Sequence, residues 1–230
     1  MKQIFSTAIV LLLAAIGPNI FPAAQAGYGT LHLLAVRLLL PSIVVLAILT
    51  FVFGKEQREL SRGILLGGAA GALATLSLEV IRLIGFHFDF MPGNLPRLMG
   101  VLLLDRFAQG PSLLSDVAGW GYHFWNGAAF GIIYSIALGT RRKWAGALYG
   151  VALGIGFMLS PVVTSLGVGA FGLQFSYGFP ITVLLAHLAF GWSLAVLAQR
   201  FLGPRGSLVM DEMRKCMLPS QRSRHFTISR

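Results

Sequence analysis

The stretch Gly63–Phe86, GILLGGAAGALATLSLEVIRLIGF, decides the fold class of this chain. It exceeds the roughly 20 residues that carry a helix across a bilayer. Its only ionisable side chains are Glu79 and Arg82. Gly63, Gly67, Gly71, Thr75 and Glu79 recur at every fourth position, which places them on one helix face. Small residues in such a stripe let two helix backbones approach closely, the usual packing device inside a membrane. Every other face is apolar, so the helix is surrounded by lipid and protein rather than water.

The rest of the chain agrees. Of 230 residues, 56% are hydrophobic and 11% charged. A soluble domain carries about 25% charged residues, so a water-soluble globule is excluded. Disorder is excluded by the hydrophobicity. Spans are expected at Ile4–Ala26, Gly29–Gly54, Gly63–Phe86, Gly119–Gly139, Trp144–Val168 and Gly178–Leu202. Between the third and fourth, His87–Ala118 holds the short segment Leu98–Phe107, expected as an interfacial helix. The reading is an all-α integral membrane protein with one transmembrane domain over residues 1–202 and a basic cytoplasmic tail over 203–230. The first segment, 4–26, also fits a secretory signal peptide, with Lys2, an apolar run and Ala24-Gln25-Ala26. Six helices cross if it stays and five if it is cleaved.

The net charge is +10. Lys2, Lys55, Arg58, Arg62, Arg141, Arg142 and Lys143 fall in every second connection, and Arg205, Arg214, Lys215, Arg222 and Arg224 follow the last span. That alternation predicts both termini on the cytoplasmic side of an inner membrane. It reads as topology rather than as a nucleic-acid surface, since no basic helix or RNA-binding motif is present. The single cysteine, Cys216, excludes an intrachain disulfide.

An internal repeat is expected. Gly146, Gly150 and Gly154 copy the spacing of Gly63, Gly67 and Gly71. Aligning Gly63 with Gly146 superposes Leu65 on Leu148, Ala69 on Ala152, Leu76-Ser77 on Leu159-Ser160 and Val80 on Val163. The following helices each carry a histidine four residues before a glycine, His123 with Gly127 and His187 with Gly191. The repeated unit is then a two-helix hairpin, over about 63–139 and 144–202, used twice in one orientation.

Ionisable groups inside a membrane are costly and mark function by default. Glu79, Arg82 and Arg37 are the proton- or ion-linked candidates. Glu79 and Arg82 lie one turn apart, and Glu79 continues the glycine stripe. His32, His87, Asp89, His123 and His187 gather toward the outer ends of their helices and are candidates for a periplasm-facing pocket. If that pocket holds a metal or haem, His87, His123 and His187 are its expected ligands; no local metal motif is present, so they must come from different helices. The plainer alternative is that His87, Trp120, Tyr122, His123 and Trp125 anchor helices at the headgroup level and that Arg82 only neutralises Glu79. Met91-Pro92-Gly93-Asn94-Leu95-Pro96 is a turn that brings the chain back over the pocket. Gly17-Pro18 and Ser160-Pro161 interrupt their helices and free backbone carbonyls. No G-x-S-x-G, P-loop or dinucleotide fingerprint occurs, so the chain reads as a non-enzyme.

Gly67–Thr75 (GGAAGALAT), Met91-Pro92 with Leu98–Leu104, His123–Tyr134 (HFWNGAAFGIIY), Gly146–Pro161 and Gly167–Phe171 (GVGAF) together resemble bacterial inner-membrane families of the YagU-like kind, over about residues 63–172. The resemblance implies a small multi-spanning inner-membrane protein, tied to acid or envelope stress, and carries no assigned functional residues. The function expected is a small transporter-like or ion- and proton-handling protein. The alternatives are an accessory subunit of a larger membrane complex and a haem- or metal-binding redox component. The partners are the lipid bilayer and either a membrane protein or a second copy of the chain.

Overall fold

A computed structural model describes residues 2–217 of the chain. The tail from 218 on, with Arg222 and Arg224, lies outside the described residues, as do the side chains of Lys2, Lys55, Lys215 and Cys216.

The described chain is helical. Helix α1 is Lys2–Gln25. Helix α2 opens as Leu31–Leu34, passes through a π-helical turn at Ala35–Leu39 and continues as Leu40–Glu56. Helix α3 is Arg58–His87, α4 is the short Leu95–Leu103, and α5 is Leu113–Ile133 with a π-helical turn at Tyr134–Leu138. Helix α6 is Lys143–Leu159, α7 is Pro161–Ser165, α8 is Gly178–Leu202 and α9 is Leu208–Met217.

Local chemistry sets these boundaries. The Thr30 hydroxyl accepts from the Leu33 amide at the start of α2, and Asn94 Oδ1 accepts from the Arg97 amide at the start of α4. Ser112 and Ser115 form a reciprocal capping box at the start of α5. Ser160 turns extended before Pro161 and splits the fifth expected segment into α6 and α7.

Five helices are long and apolar enough to cross a membrane: Gln3–Gln25, Leu31–Gly54, Arg58–His87, Lys143–Ser165 and Gly178–Leu202. The sixth expected span differs. Its helix starts earlier than expected, at Leu113, and is long enough, but Asp116, Trp120, Tyr122, His123, Trp125 and Asn126 lower its apolarity. It is the helix that brings polar groups inward. The interfacial segment also shifts, from 98–107 to Leu95–Leu103, because Asn94 caps it.

Helix α3 is central. It packs antiparallel against α5 on one side and α8 on the other; α6 lies against α8, and α1 against α5. Both glycine stripes are buried in close crossings. A methyl on Gly71 would collide with the backbone of Gly127, and one on Gly131 with the carbonyl of Gly67. A methyl on Gly150 would meet the carbonyl of His187, and one on Gly191 the carbonyl of Gly146. The outward faces stay apolar: Phe51, Leu65, Leu148 and Ile181 are all more than half exposed. Such exposed apolar side chains on span-length helices are compatible with a lipid surround.

One end of the bundle gathers Arg58, Arg62, Arg141, Arg142 and Arg205. There the chain after α8 clips onto the turn after α5. The Thr140 amide donates to the Arg205 carbonyl at 2.9 Å, Ser207 Oγ donates to the Ala137 carbonyl at 2.6 Å, and Arg205 Nη1 donates to Glu59 at 2.6 Å. Gly139 makes this possible with φ +76°, since a side chain there would strike Gly206. The opposite end carries His87, the turn 88–94 and α4.

Candidate functional site

A cavity of about 420 Å³ opens between α1, α3, α5, α6 and α8, in the half of the bundle nearer the His87 end. The segment 91–99 closes it on one side, with Met91, Leu95, Pro96 and Met99 in its wall. Helix α4 reaches that position because Gly100 and Gly119 bring its backbone into contact with α5. The rest of the wall is largely apolar and includes Phe21, Phe130, Phe157 and Phe190.

The ionisable side chains of the wall come from three helices, Arg82 on α3, His123 on α5 and His187 on α8, and Glu79 is bonded to the first two. Glu79 and Arg82 lie one turn apart on α3 and are each 6% exposed. The Arg82 Nε–H lies 2.9 Å from both carboxylate oxygens of Glu79, and Nη2 donates to Oε2. His123 on α5 places Nε2 2.9 Å from Glu79 Oε1. A carboxylate already holding a guanidinium is an acceptor only, so His123 Nε2 carries the proton. Arg82 also lies over the Trp120 ring, 5.8 Å from its centroid. One carboxylate thus ties together two helices that meet at a glycine seam. An ion pair removed from water is retained only where such extra hydrogen bonds complete it.

His187 on α8 faces the same cavity. Its Nδ1 lies 2.8 Å from the carbonyl of Val183, so Nδ1 is the donor, and its ring stacks on Phe157 at 5.9 Å. On α5, the Tyr122 hydroxyl donates to the Gly17 carbonyl at 2.7 Å. That bond locks α1 where Pro18 and Pro22 withhold two amide donors. Asn126, one turn after His123, lines the cavity with a buried Oδ1 that has no partner among the described residues.

Of the sequence candidates, Glu79, Arg82, His123 and His187 come together here. The others do not. Arg37 is exposed on the flank of α2, within the π-helical turn. His32 is exposed and bonds the Leu103 carbonyl at 2.7 Å. His87 and Asp89 are exposed at the end of α3, where the His87 ring leans on Phe88. The expected metal set of His87, His123 and His187 is therefore split. Among the described residues, no three His, Cys, Asp or Glu side chains converge as a metal site would require. His87 is the last residue of α3, exposed and about two turns beyond Glu79.

Asn126, Trp120, Met91 and Met99 belong to the site and were not among the sequence candidates. Asn126 had a readable signal, a polar amide three positions from His123 in an apolar helix. Met91 lies in the turn 91–96 expected over the pocket, whereas Met99 had no signal, because its place depends on how α4 docks. Comparison of the chain with protein-family models, curated proteins and solved structures finds no match to any of them.

Proposed function

We propose that this is a multi-spanning inner-membrane protein that binds a small solute in a periplasm-facing cavity, with proton exchange at the Glu79–His123 pair. The observation that carries this reading is the Arg82–Glu79–His123 chain of hydrogen bonds, whose two outer members line a largely apolar cavity. Titratable groups buried beside a cavity in a membrane mark ion and proton paths. A purely structural pair would need no histidine and no adjoining empty volume.

The orientation rests on the basic end. Arg58, Arg62, Arg141, Arg142 and Arg205 lie together and read as cytoplasmic. The cavity lies toward the other end and faces the periplasm. Helix α5 is the sixth span in this reading, and its polar residues are sheltered by α1, α3 and α4. The two glycine-seamed hairpins, α3–α5 and α6–α8, are read as related units.

The test uses Ser160→Cys in a Cys216→Ser background. Ser160 lines the cavity. In spheroplasts a membrane-impermeant maleimide is expected to label it from outside. The labelling rate, relative to a Gly93→Cys reference on the turn, is expected to change with external pH between about 5 and 8, where histidine titrates. Glu79→Gln is expected to remove that change. Labelling only from the cytoplasmic side, or a relative rate independent of pH, overturns the reading.

A further inference from the structure

We propose that the solute is an apolar monocarboxylic acid, and that it enters the cavity together with one proton. This rests on the cavity being an outward-facing ligand site, as above. It adds the ligand's chemical class and the proton count.

The class follows from the hydrogen-bonding groups that the protein leaves open. Arg82 spends Nε and Nη2 on Glu79; its Nη1 has no protein partner among the described residues, and Arg82 lines the cavity. His123 spends its Nε2–H on Glu79, which leaves Nδ1 as a bare acceptor. An open donor and an open acceptor on adjacent side chains match the two oxygens of a carboxyl group. One oxygen accepts from Arg82, and the other brings a proton to His123. Arginine suits such planar acceptors.

Charge fixes the proton count. In the empty site the Glu79 carboxylate offsets the Arg82 guanidinium, and His123 Nδ1 is an open acceptor. A bare carboxylate would leave one uncompensated negative charge in a low-dielectric wall, which is expensive. A carboxylic acid RCOOH carries none. Its proton moves to His123 Nδ1, and the imidazolium then lies between two carboxylates, that of Glu79 and that of the ligand. No bond other than O–H and N–H changes. The titratable or charged groups around His123 are Glu79 and Arg82 from α3 and His187 from α8; α1, α6 and the 91–99 segment add none to the cavity wall. The remaining wall, with Phe21, Phe130 and Phe157, takes an apolar body, and about 420 Å³ is within the range of small-molecule pockets.

The test is calorimetry with benzoate on the full chain in mild detergent, blanked against detergent alone, in two buffers of different ionisation enthalpy. The expected result is uptake of about one proton per benzoate. Affinity for the anion then strengthens as pH falls, by up to about tenfold per unit. Benzylamine and benzyl alcohol are expected to bind at least tenfold more weakly. His123→Gln keeps a donor for Glu79 but has no basic nitrogen; it is expected to abolish the proton uptake and weaken benzoate at least tenfold. Binding without proton uptake, proton uptake that survives His123→Gln, or a preference for the amine or alcohol overturns the proposal. If benzoate fails while Ser160→Cys is still labelled from outside, this proposal falls and the outward-facing site stands. If both fail, both fall.

Discussion

His123 on α5 and Glu79 on α3 meet at 2.9 Å, across a helix crossing in which Gly71 and Gly127 touch. The two facts depend on each other. Only glycines allow the backbones to come so close that an imidazole and a carboxylate near the seam bond directly. The same carboxylate holds Arg82, so the packing of α3 on α5 and the charge state of the cavity wall are one problem.

Removing the carboxylate alone leaves Arg82 charged and buried. Glu79→Ala is expected to cost about 3–5 kcal/mol, the scale for breaking a buried pair from one side. The double variant Glu79→Leu/Arg82→Leu is expected to recover most of that loss, because neither charge remains. Thermal unfolding in detergent checks both. A double variant as unstable as the single one would show that packing and not charge holds this site.

The glycine seams give a positional contrast. Gly71→Ala drives a methyl into the backbone of Gly127 and is expected to cost about 1–3 kcal/mol or more. Gly121→Ala, on the same α5 helix, meets nothing within 4 Å. It is expected to be neutral or to gain up to about 1 kcal/mol from helix propensity. Equal effects at the two positions would contradict the crossing.

Gly156 lines the cavity, and a methyl there also meets nothing within 4 Å. Gly156→Leu is therefore expected to fill cavity volume without lowering the unfolding temperature. Maleimide labelling of Ser160→Cys should fall at least tenfold in that background. Unchanged labelling would mean that reagent reaches residue 160 by another route.

Tyr122→Phe removes the hydroxyl that anchors α1 through the Gly17 carbonyl. The expected cost is about 1 kcal/mol, that of one hydrogen bond. The larger effect should be local, with faster proteolysis or amide exchange in α1 around Pro18 and Pro22. Uniform loosening of all helices would argue that α1 is held mainly by its apolar contacts.

The two seams also explain why aligning the histidines goes only part of the way. Gly127 contacts Gly71 and Thr75, whereas Gly191 contacts Gly146 and Gly150. His187 itself lies in the second seam, against Gly150 and Gly154, while His123 lies beyond the first and reaches Glu79. Spacing showed two histidine-before-glycine pairs; the crossings set them to different tasks. One histidine bonds a carboxylate, and the other bonds its own helix.

The sequence by itself determined that the chain forms helices long and apolar enough to cross a membrane, because its composition is far more apolar than that of an ordinary soluble domain. It also determined that Glu79, Arg82 and the glycines share one face, because a helix has a fixed period. It placed His123 and His187 toward the same end, through the alternation of basic connections. Only the tertiary structure decided which of eight candidate residues meet. In a helix that is apolar on every side, the hydrophobic pattern does not say which face turns to lipid and which to protein, so Arg37, His32 and His87 looked as eligible as His123. Contact is settled by where backbones can approach, at Gly71 on Gly127 and at Gly100 on Gly119. Those crossings bring His123 to Glu79 and lay Met99 over the cavity, and no spacing along the chain encodes them.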